Sequence, residues 1–336
     1  MQVKYLKPEV QIQHNGPAIR LVSTKNLERE EWLSIRKNGI GSSDAAAAVG
    51  LNPYKSQLEL WMEKTGRDSE LPQLDPADDT SPAFWGTLLE PIVASHYTKK
   101  TNNRVRRINA VLQHADPELS WMLANIDREV IGADDVQILE CKTAGINGSR
   151  LWKEGVPEYV QLQVMHQLAV TGKHAADVAV LLGGQHLEIY RIERDEAMIA
   201  QLIELERQFW NCVETDTPPP ADGSASAGTA LRCLFPQDHG ETVDFTVDEE
   251  LTQAYETLKQ VRDAIGEQKR QESALKQKIQ QAMGDASRAV FASGAVTWKK
   301  AKDTVTVDTK ALLRDLPHLG EQYEALRQGS RRFLIS

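Results

Sequence analysis

Three strand-like runs follow one another between residues 104 and 143, and they limit the folds open to this chain more than any other feature. Residues 104–114, 121–131 and 136–143 are rich in β-branched and apolar residues that alternate with polar ones. Gly132-Ala133-Asp134-Asp135 supplies a tight turn between the second and the third. Helical spacing surrounds the three runs. Leu27, Glu31 and Ile35 are in register over 27–37, and Gly39 to Gly41 break that pattern. Ser42, Ser43 and Asp44 start a small-residue helix that ends at Gly50, and 56–65 and 84–100 read as two more. Pro91 lies inside the last and marks either a kink or a new first turn. After the strands, 158–171 is a helix stopped by Gly172, 176–182 and 187–193 form a hairpin around Gly183-Gly184, and 195–214 is a long amphipathic helix. This order predicts an α/β (α+β) domain with a mixed sheet flanked by helices.

Residues 215–229 are rich in Pro, Gly and Ser, which places a domain boundary there: a first domain over 1–215, a linker over 216–246 and a C-terminal region over 247–336. In that region Leu251, Tyr255, Leu258, Ile265, Leu275, Ile279 and Met283 recur at three- and four-residue steps, as one long helix or a helical hairpin. A strand pair, 288–293 and 295–299, follows with its turn at Ser293-Gly294.

The net charge of −9 is unevenly spread. Residues 251–336 hold 15 Lys and Arg against 10 Asp and Glu, while 1–250 hold 24 against 38. The basic end is either a source of phosphate contacts or a solvated helix surface. No stretch approaches the length of a membrane span. Met1 to Val10 has no apolar core, so no signal peptide is expected. Cys141, Cys212 and Cys233 form no CxxC pair, which argues against a disulfide framework or a zinc site. The expected location is the cytoplasm.

The residues that carry chemistry are Glu90, Asp127, Glu140 and Lys142. Glu140 and Lys142 are two apart on one strand, so both side chains leave the same face. Asp127 is expected on the preceding strand, across the tight turn, and Glu90 on the helix before the sheet. Carboxylates gathered on one small surface repel each other unless a cation sits among them, and oxygen ligands of this kind suit Mg²⁺ or Mn²⁺. Such ions activate water and stabilise charge on a phosphoryl group, and a neighbouring lysine can orient or deprotonate that water. A Glu-x-Lys pair alone is also what a salt-bridged strand surface looks like.

Five motifs in order resemble the lambda-exonuclease-like, YqaJ-type viral recombinase branch of the PD-(D/E)xK nucleases. They are Arg36-Lys37-Asn38-Gly39-Ile40-Gly41-Ser42-Ser43-Asp44, Gly86-Thr87-Leu88-Leu89-Glu90-Pro91, Asn125-Ile126-Asp127, Glu140-Cys141-Lys142-Thr143, and the helix from Tyr159 to Gly172. The resemblance spans roughly 25–215 and implies a PD-(D/E)xK nuclease core for the first domain. It implies Glu90, Asp127 and Glu140 as ligands of Mg²⁺, with Mn²⁺ as substitute and two ions as the expected number. The Cys141 backbone carbonyl is a further implied ligand. Lys142 is the implied catalytic lysine, and Gln163 the implied polar residue near the attacking water. Arg36 with Ser42 or Ser43 is the implied contact to a 5′-phosphate, and a helix start of small residues favours an anion.

Two departures from the family pattern concern the same helix. Met165 stands where a second Gln is usual, and Val160 where a Tyr is seen; Tyr159 is adjacent and expected to point elsewhere. His166 is read as a packed or solvated residue, Cys141 as a buried strand residue, and Trp298 with Lys299, Lys300 and Lys302 as an ordinary strand surface.

The resemblance thus implies a Mg²⁺-dependent 5′→3′ exonuclease on linear double-stranded DNA, leaving 3′ single strands. A single-strand annealing protein is the implied partner and a homotrimer the implied assembly, with the long C-terminal helix as a candidate association surface. The residues themselves support metal-assisted phosphodiester hydrolysis. Three rival readings stay open: a structure-specific endonuclease, a non-catalytic DNA-end binding or scaffolding module, and a coiled-coil adaptor built on the C-terminal region.

Overall fold

The computed structural model describes residues 18–73, 75, 77–326 and 329–335; the N-terminal residues read for a signal peptide lie outside these. The chain divides between Phe235 and Pro236 into two units. In the first, β1 (Ala18–Ser23) leads to α1 (Arg29–Lys37), β2 (Ile40–Gly41), a 3₁₀ turn at Ser42–Asp44, α2 (Ala45–Ala48), α3 (Gln57–Lys64) and α4 (Pro82–Thr101). Five strands follow: β3 (Arg104–Arg106), β4 (Ala110–His114), β5 (Met122–Ala124), β6 (Arg128–Ile131) and β7 (Ile138–Ala144). Then come α5 (Glu158–Thr171), β8 (Ala175–Leu182), β9 (His186–Glu193), α6 (Glu196–Glu214) and α7 (Ala225–Leu234). Side chains of Ser56, Ser81, Asp195 and Ser224 cap α3, α4, α6 and α7, each satisfying an otherwise orphaned helix N–H.

The strands form two sheets, ordered β1-β4-β5-β2 and β3-β6-β7-β8-β9. β7 and β8 are parallel, joined by the crossover helix α5, and their neighbours β6 and β9 are antiparallel. The expected mixed sheet with flanking helices is therefore present. The strands differ from the sequence reading in two respects: β1 and β2 were not expected, and the long runs divide. Residues 104–114 and 121–131 each break into two strands that belong to different sheets. Asn109, at φ 49°, turns the first run in the left-handed region. Residues 125–127 carry the second from β5 into β6. β3 and β6 alternate in burial while β4 and β5 bury successive residues, and an apolar run does not register a change of pairing partner.

The core lies on both faces of the five-stranded sheet. Ile138, Ala176, Val178 and Val180 pack toward Val164 and Leu168 of α5, while Leu139, Val130 and Ala179 pack toward Val93, Ala94 and Tyr97 of α4. Along β7, Ile138, Glu140 and Lys142 thus belong to the α5 face, and Leu139 and Cys141 to the α4 face. Helix α4 runs through Pro91 without a new first turn.

The segment expected as a linker folds in part. Its residues 225–234 form α7, whose Ala227 and Ala230 are buried. Ser226 Oγ accepts from the Ser56 N–H at 2.8 Å and pairs with Glu59, which fastens α7 to α3. Small residues that suggest a linker by composition also allow a helix to pack closely.

The second unit holds one continuous helix, α8 (Glu249–Met283), with no buried residue, then the hairpin β10 (Arg288–Phe291) and β11 (Gly294–Thr297), α9 (Thr309–Asp315) and α10 (Pro317–Gln322). Trp298 lies just past β11 and is half-exposed. Among the described residues no helix is long and apolar enough to cross a membrane.

One buried ionic cluster ties the first helices together. Asp44 accepts from Lys64 Nζ at 2.7 Å and from Arg36 at 2.8 Å, and Lys64 Nζ also donates to the Arg36 carbonyl at 2.9 Å. Burial disfavours the Asp44 charge, but Arg36 and Lys64 overcome this and hold its carboxyl far below the usual carboxylate range. Asp44→Asn strips both cations of their counter-charge and is expected to cost about 3–5 kcal/mol, read as a lower urea midpoint. Because the folded value is depressed, the wild-type contribution persists above about pH 4 and fades as pH falls below it. An unchanged midpoint at pH 7 would contradict this.

Candidate active site

The site forms where β7 runs out beyond its pairing with β6. That ladder ends at Leu139, so the chain at 125–127 splays away and the β6-side edge of Cys141 is left without a strand partner. Asp127 fills the gap: its Oδ2 accepts from the Cys141 N–H at 2.8 Å. Asp127 therefore sits in the step between β5 and β6 rather than within a strand, as the sequence had suggested. A strand residue directs its N–H and C=O to the same edge, so the Cys141 carbonyl also faces the Asp127 side.

Glu140 is buried at 3% exposure and is held on both oxygens. Oε1 accepts from Gln163 Nε2 at 2.6 Å and pairs with Lys142 Nζ at 2.8 Å. Oε2 accepts from Gln167 Nε2 at 2.8 Å. Lys142 Nζ also donates to Gln163 Oε1 at 2.8 Å. Gln163 thus bridges the lysine and the glutamate. Gln167, fully buried, reaches the Asn125 carbonyl at 3.2 Å as well, and its Oε1 has no hydrogen-bond partner.

The electrostatics are strained on one side only. Burial pushes the Asp127 carboxyl up to about 8, and the Glu140 charge adds to that push, against the Cys141 N–H and Lys142. Burial works against the Lys142 ammonium, but Glu140 outweighs it and holds the lysine above its ordinary value. In this arrangement Lys142 Nζ pairs with Glu140 and donates to Gln163. Burial, with Asp127 and Glu140, also keeps the Cys141 thiol protonated.

Glu90 borders this group, sharing Arg128 Nη1 with the Asp127 carbonyl. It comes from α4, the helix on the opposite face, and pairs with Arg128 and, at 3.5 Å, with Arg107. Among the described residues no three His, Cys, Asp or Glu side chains converge as a metal-holding group. Asp127 and Glu140 nonetheless fit a divalent cation. They are two oxygen donors whose mutual repulsion the protein leaves partly uncompensated. Arg128 and Arg107 both meet Glu90 at Oε1.

Arg36 lies on α1 over the Trp32 ring at 4.7 Å and donates to Ser43 Oγ at 2.7 Å and to Asp44. Ser43 is exposed and Ser42 buried, so Ser43 is the hydroxyl that a ligand can reach. The Gly41 N–H is engaged by Asp44 at 3.3 Å. A Cβ at Gly39 would stand 2.4 Å from the Trp121 carbonyl, which explains a glycine where α1 turns into β2.

The sequence reading missed Gln167, Arg128 and Lys64. Gln167 had a signal, since it lies one turn after Gln163 on the same helix face. Arg128 and Lys64 had none, because only the folded chain brings them to Glu90 and Asp44. His166 is packed, with Nδ1 on Glu206 at 2.8 Å and Nε2 on the Leu123 carbonyl at 2.9 Å. Val160 is in the core, but Tyr159 is closer than expected, within electrostatic reach of Lys142 and edge-on to Tyr54 at 5.8 Å.

A raised Asp127 carboxyl has a cost. With metal removed by chelation, the unfolded chain ionises Asp127 near pH 4 and the folded chain only near pH 8, so folding stability declines across that window. Asp127→Asn is expected to abolish this part of the decline and to raise the urea midpoint at pH 8 relative to wild type. A lower midpoint for the variant at pH 8 would contradict the strain.

Comparison with known proteins follows the same residues. The model of the YqaJ-like viral recombinase domain matches residues 31–174, which include every side chain of the site above. The uncharacterized protein YqaJ of Bacillus subtilis (strain 168) is 34% identical over 323 residues, covering 94% of this chain and 96% of that protein. An alkaline exonuclease of Laribacter hongkongensis, LHK-Exo, is similar at 22% identity and a TM-score of 0.46, over 56% of this chain and 94% of that one. Its complex with dAMP is similar at 24% identity and a TM-score of 0.43, over the same shares. With a relative of that identity along nearly its whole length, the chain belongs to the YqaJ-like viral recombinase family.

Proposed function

We propose that this chain is a divalent-metal-dependent deoxyribonuclease of PD-(D/E)xK type that removes nucleotides from the 5′ end of linear duplex DNA, leaving 3′ single strands for recombination. The observation that carries the reading is the Asp127–Glu140–Lys142 group at the open end of β7. Two carboxylates and a lysine are drawn together there, with the Asp127 carboxyl raised. Membership of a viral recombinase family supports the DNA substrate.

Asp127, Glu140 and the Cys141 carbonyl would hold Mg²⁺ or Mn²⁺, with Glu90 as a further ligand. When bound, such an ion lowers the pKa of water and offsets negative charge at phosphorus. The chain's own groups do the rest. Gln167 and Gln163 fix the Glu140 carboxylate, and Lys142 presents a proton and a positive charge at one place. In the reaction a water oxygen bonds to phosphorus and the P–O3′ bond breaks. The 3′ oxygen takes a proton, and the terminal nucleotide departs with its 5′-phosphate. Arg36 and Ser43 supply a contact for that phosphate. A single-strand annealing protein as partner and a ring-shaped homotrimer belong to the same proposal, as does a cytoplasmic site of action.

The test is digestion of linear duplex DNA labelled at the 5′ or the 3′ end, with Mg²⁺ or Mn²⁺ and with a chelator. Prompt, metal-dependent release of the 5′ label is expected, with circular duplex left intact. Lys142→Ala should lose about 10²–10⁴-fold in rate. Gln167→Leu should lose about 10–100-fold in rate or metal affinity while staying folded. Cutting of circular duplex would favour an endonuclease. Binding to DNA ends without any cutting would favour a non-catalytic module.

A further inference from the structure

A cleft of about 670 Å³ opens beside the site that the proposed chemistry uses, and that chemistry gives it no role. Its walls come from β1, from the connection between β3 and β4, and from the end of α5. Arg20, Arg106, Arg107 and Lys173 line it, against Glu129 as the lining carboxylate. Four cations to one anion is a local reversal in a chain of net charge −9. Glu129 pairs with Arg106 at 2.7 Å and Lys173 at 3.1 Å, so it orders two of the cations without matching the four. Arg20 donates to the Ile108 carbonyl at 2.8 Å. Arg106 and Arg107 are more than half exposed at the mouth. Arg107 also reaches Glu90 at 3.5 Å, so the cleft and the carboxylate site share a wall.

We infer that this cleft binds the phosphodiester backbone of the DNA substrate, outside the catalytic group, an assignment that rests on the DNA nuclease reading. Several fixed cations at the mouth of an open cleft suit a chain of phosphates, which gains affinity by releasing counterions. The cations reach the backbone rather than base edges, so the contact is independent of sequence. The carbonyl end of α5 and Glu129 make the floor less favourable to an anion than the rim. A backbone running along the rim satisfies that arrangement better than a single phosphate seated deep inside.

The experiment is equilibrium binding of a fluorescent, 5′-phosphorylated 30-base-pair duplex to the full chain in chelator, across a salt series, so that nothing is cut. The variants are Arg20→Gln combined with Arg106→Gln, and Glu129→Gln alone. The double variant should bind several-fold more weakly, with a log–log salt slope shallower by about two. Glu129→Gln should bind more tightly, a gain that misfolding does not produce. Wild-type affinity and slope in the double variant would overturn the inference. Should that variant fail to fold, Glu129→Gln decides alone, and unchanged or weaker binding overturns it. Displacement of the duplex from the wild type by inorganic phosphate or dAMP, but not from the double variant, would assign the cleft to small free phosphates and overturn the backbone reading. A wild type that binds through the cleft and cuts nothing would count against the nuclease reading and leave this one standing.

Discussion

Burial of Asp127 beside Glu140 is the constraint on which the candidate site depends. Two carboxylates brought together in a partly dry space cost free energy, and the chain answers that cost unequally. Glu140 receives Lys142, Gln163 and Gln167. Asp127 receives one backbone N–H, and its carboxyl rises to about 8. A divalent cation between the two carboxylates would complete the charge balance.

The placement follows from ordinary sheet geometry. β7 is central, parallel to β8 and paired to β6 for a short stretch only. Where β6 leaves, the strand's edge is free for Asp127, and alternation sends Glu140 and Lys142 to the α5 face. α5 is the crossover that parallel pairing requires, so it necessarily lies over those two side chains. Its Gln163 and Gln167, one turn apart, then meet them. Glu90 comes from the helix on the other face, and its contact with Arg107 joins it to the basic cleft.

Much of this was legible in the chain. The succession of helices and strands, the turn at Gly132, the hairpin at Gly183-Gly184 and the end of α5 at Gly172 all follow from local chemistry, and each of these glycines has a positive φ. Glu140 and Lys142 could be paired because the strand period puts them on one face, whereas Gln163 was named from the family resemblance. What escaped depends on long-range contacts. The split of 104–114 and 121–131 into two sheets leaves each run apolar enough to read as one strand. Arg128 follows Asp127 directly, yet only the fold shows that its guanidinium takes Glu90. α7 was hidden by linker-like composition, since Ala and Ser serve a flexible connection and a close helix contact equally well. The metal-ligand set inferred by resemblance is present in sequence, but the arginines that pair with Glu90 are visible only in three dimensions.

The most direct measurement is calorimetric titration of Mn²⁺ into the full chain, wild type beside Asp127→Asn and Glu140→Gln, without DNA. Saturable binding to the wild type is expected, accompanied by proton release from Asp127 at pH 7. Binding at least about tenfold weaker is expected in both variants. Equal binding in all three, or none in the wild type, would contradict a cation site built on the Asp127–Glu140 repulsion.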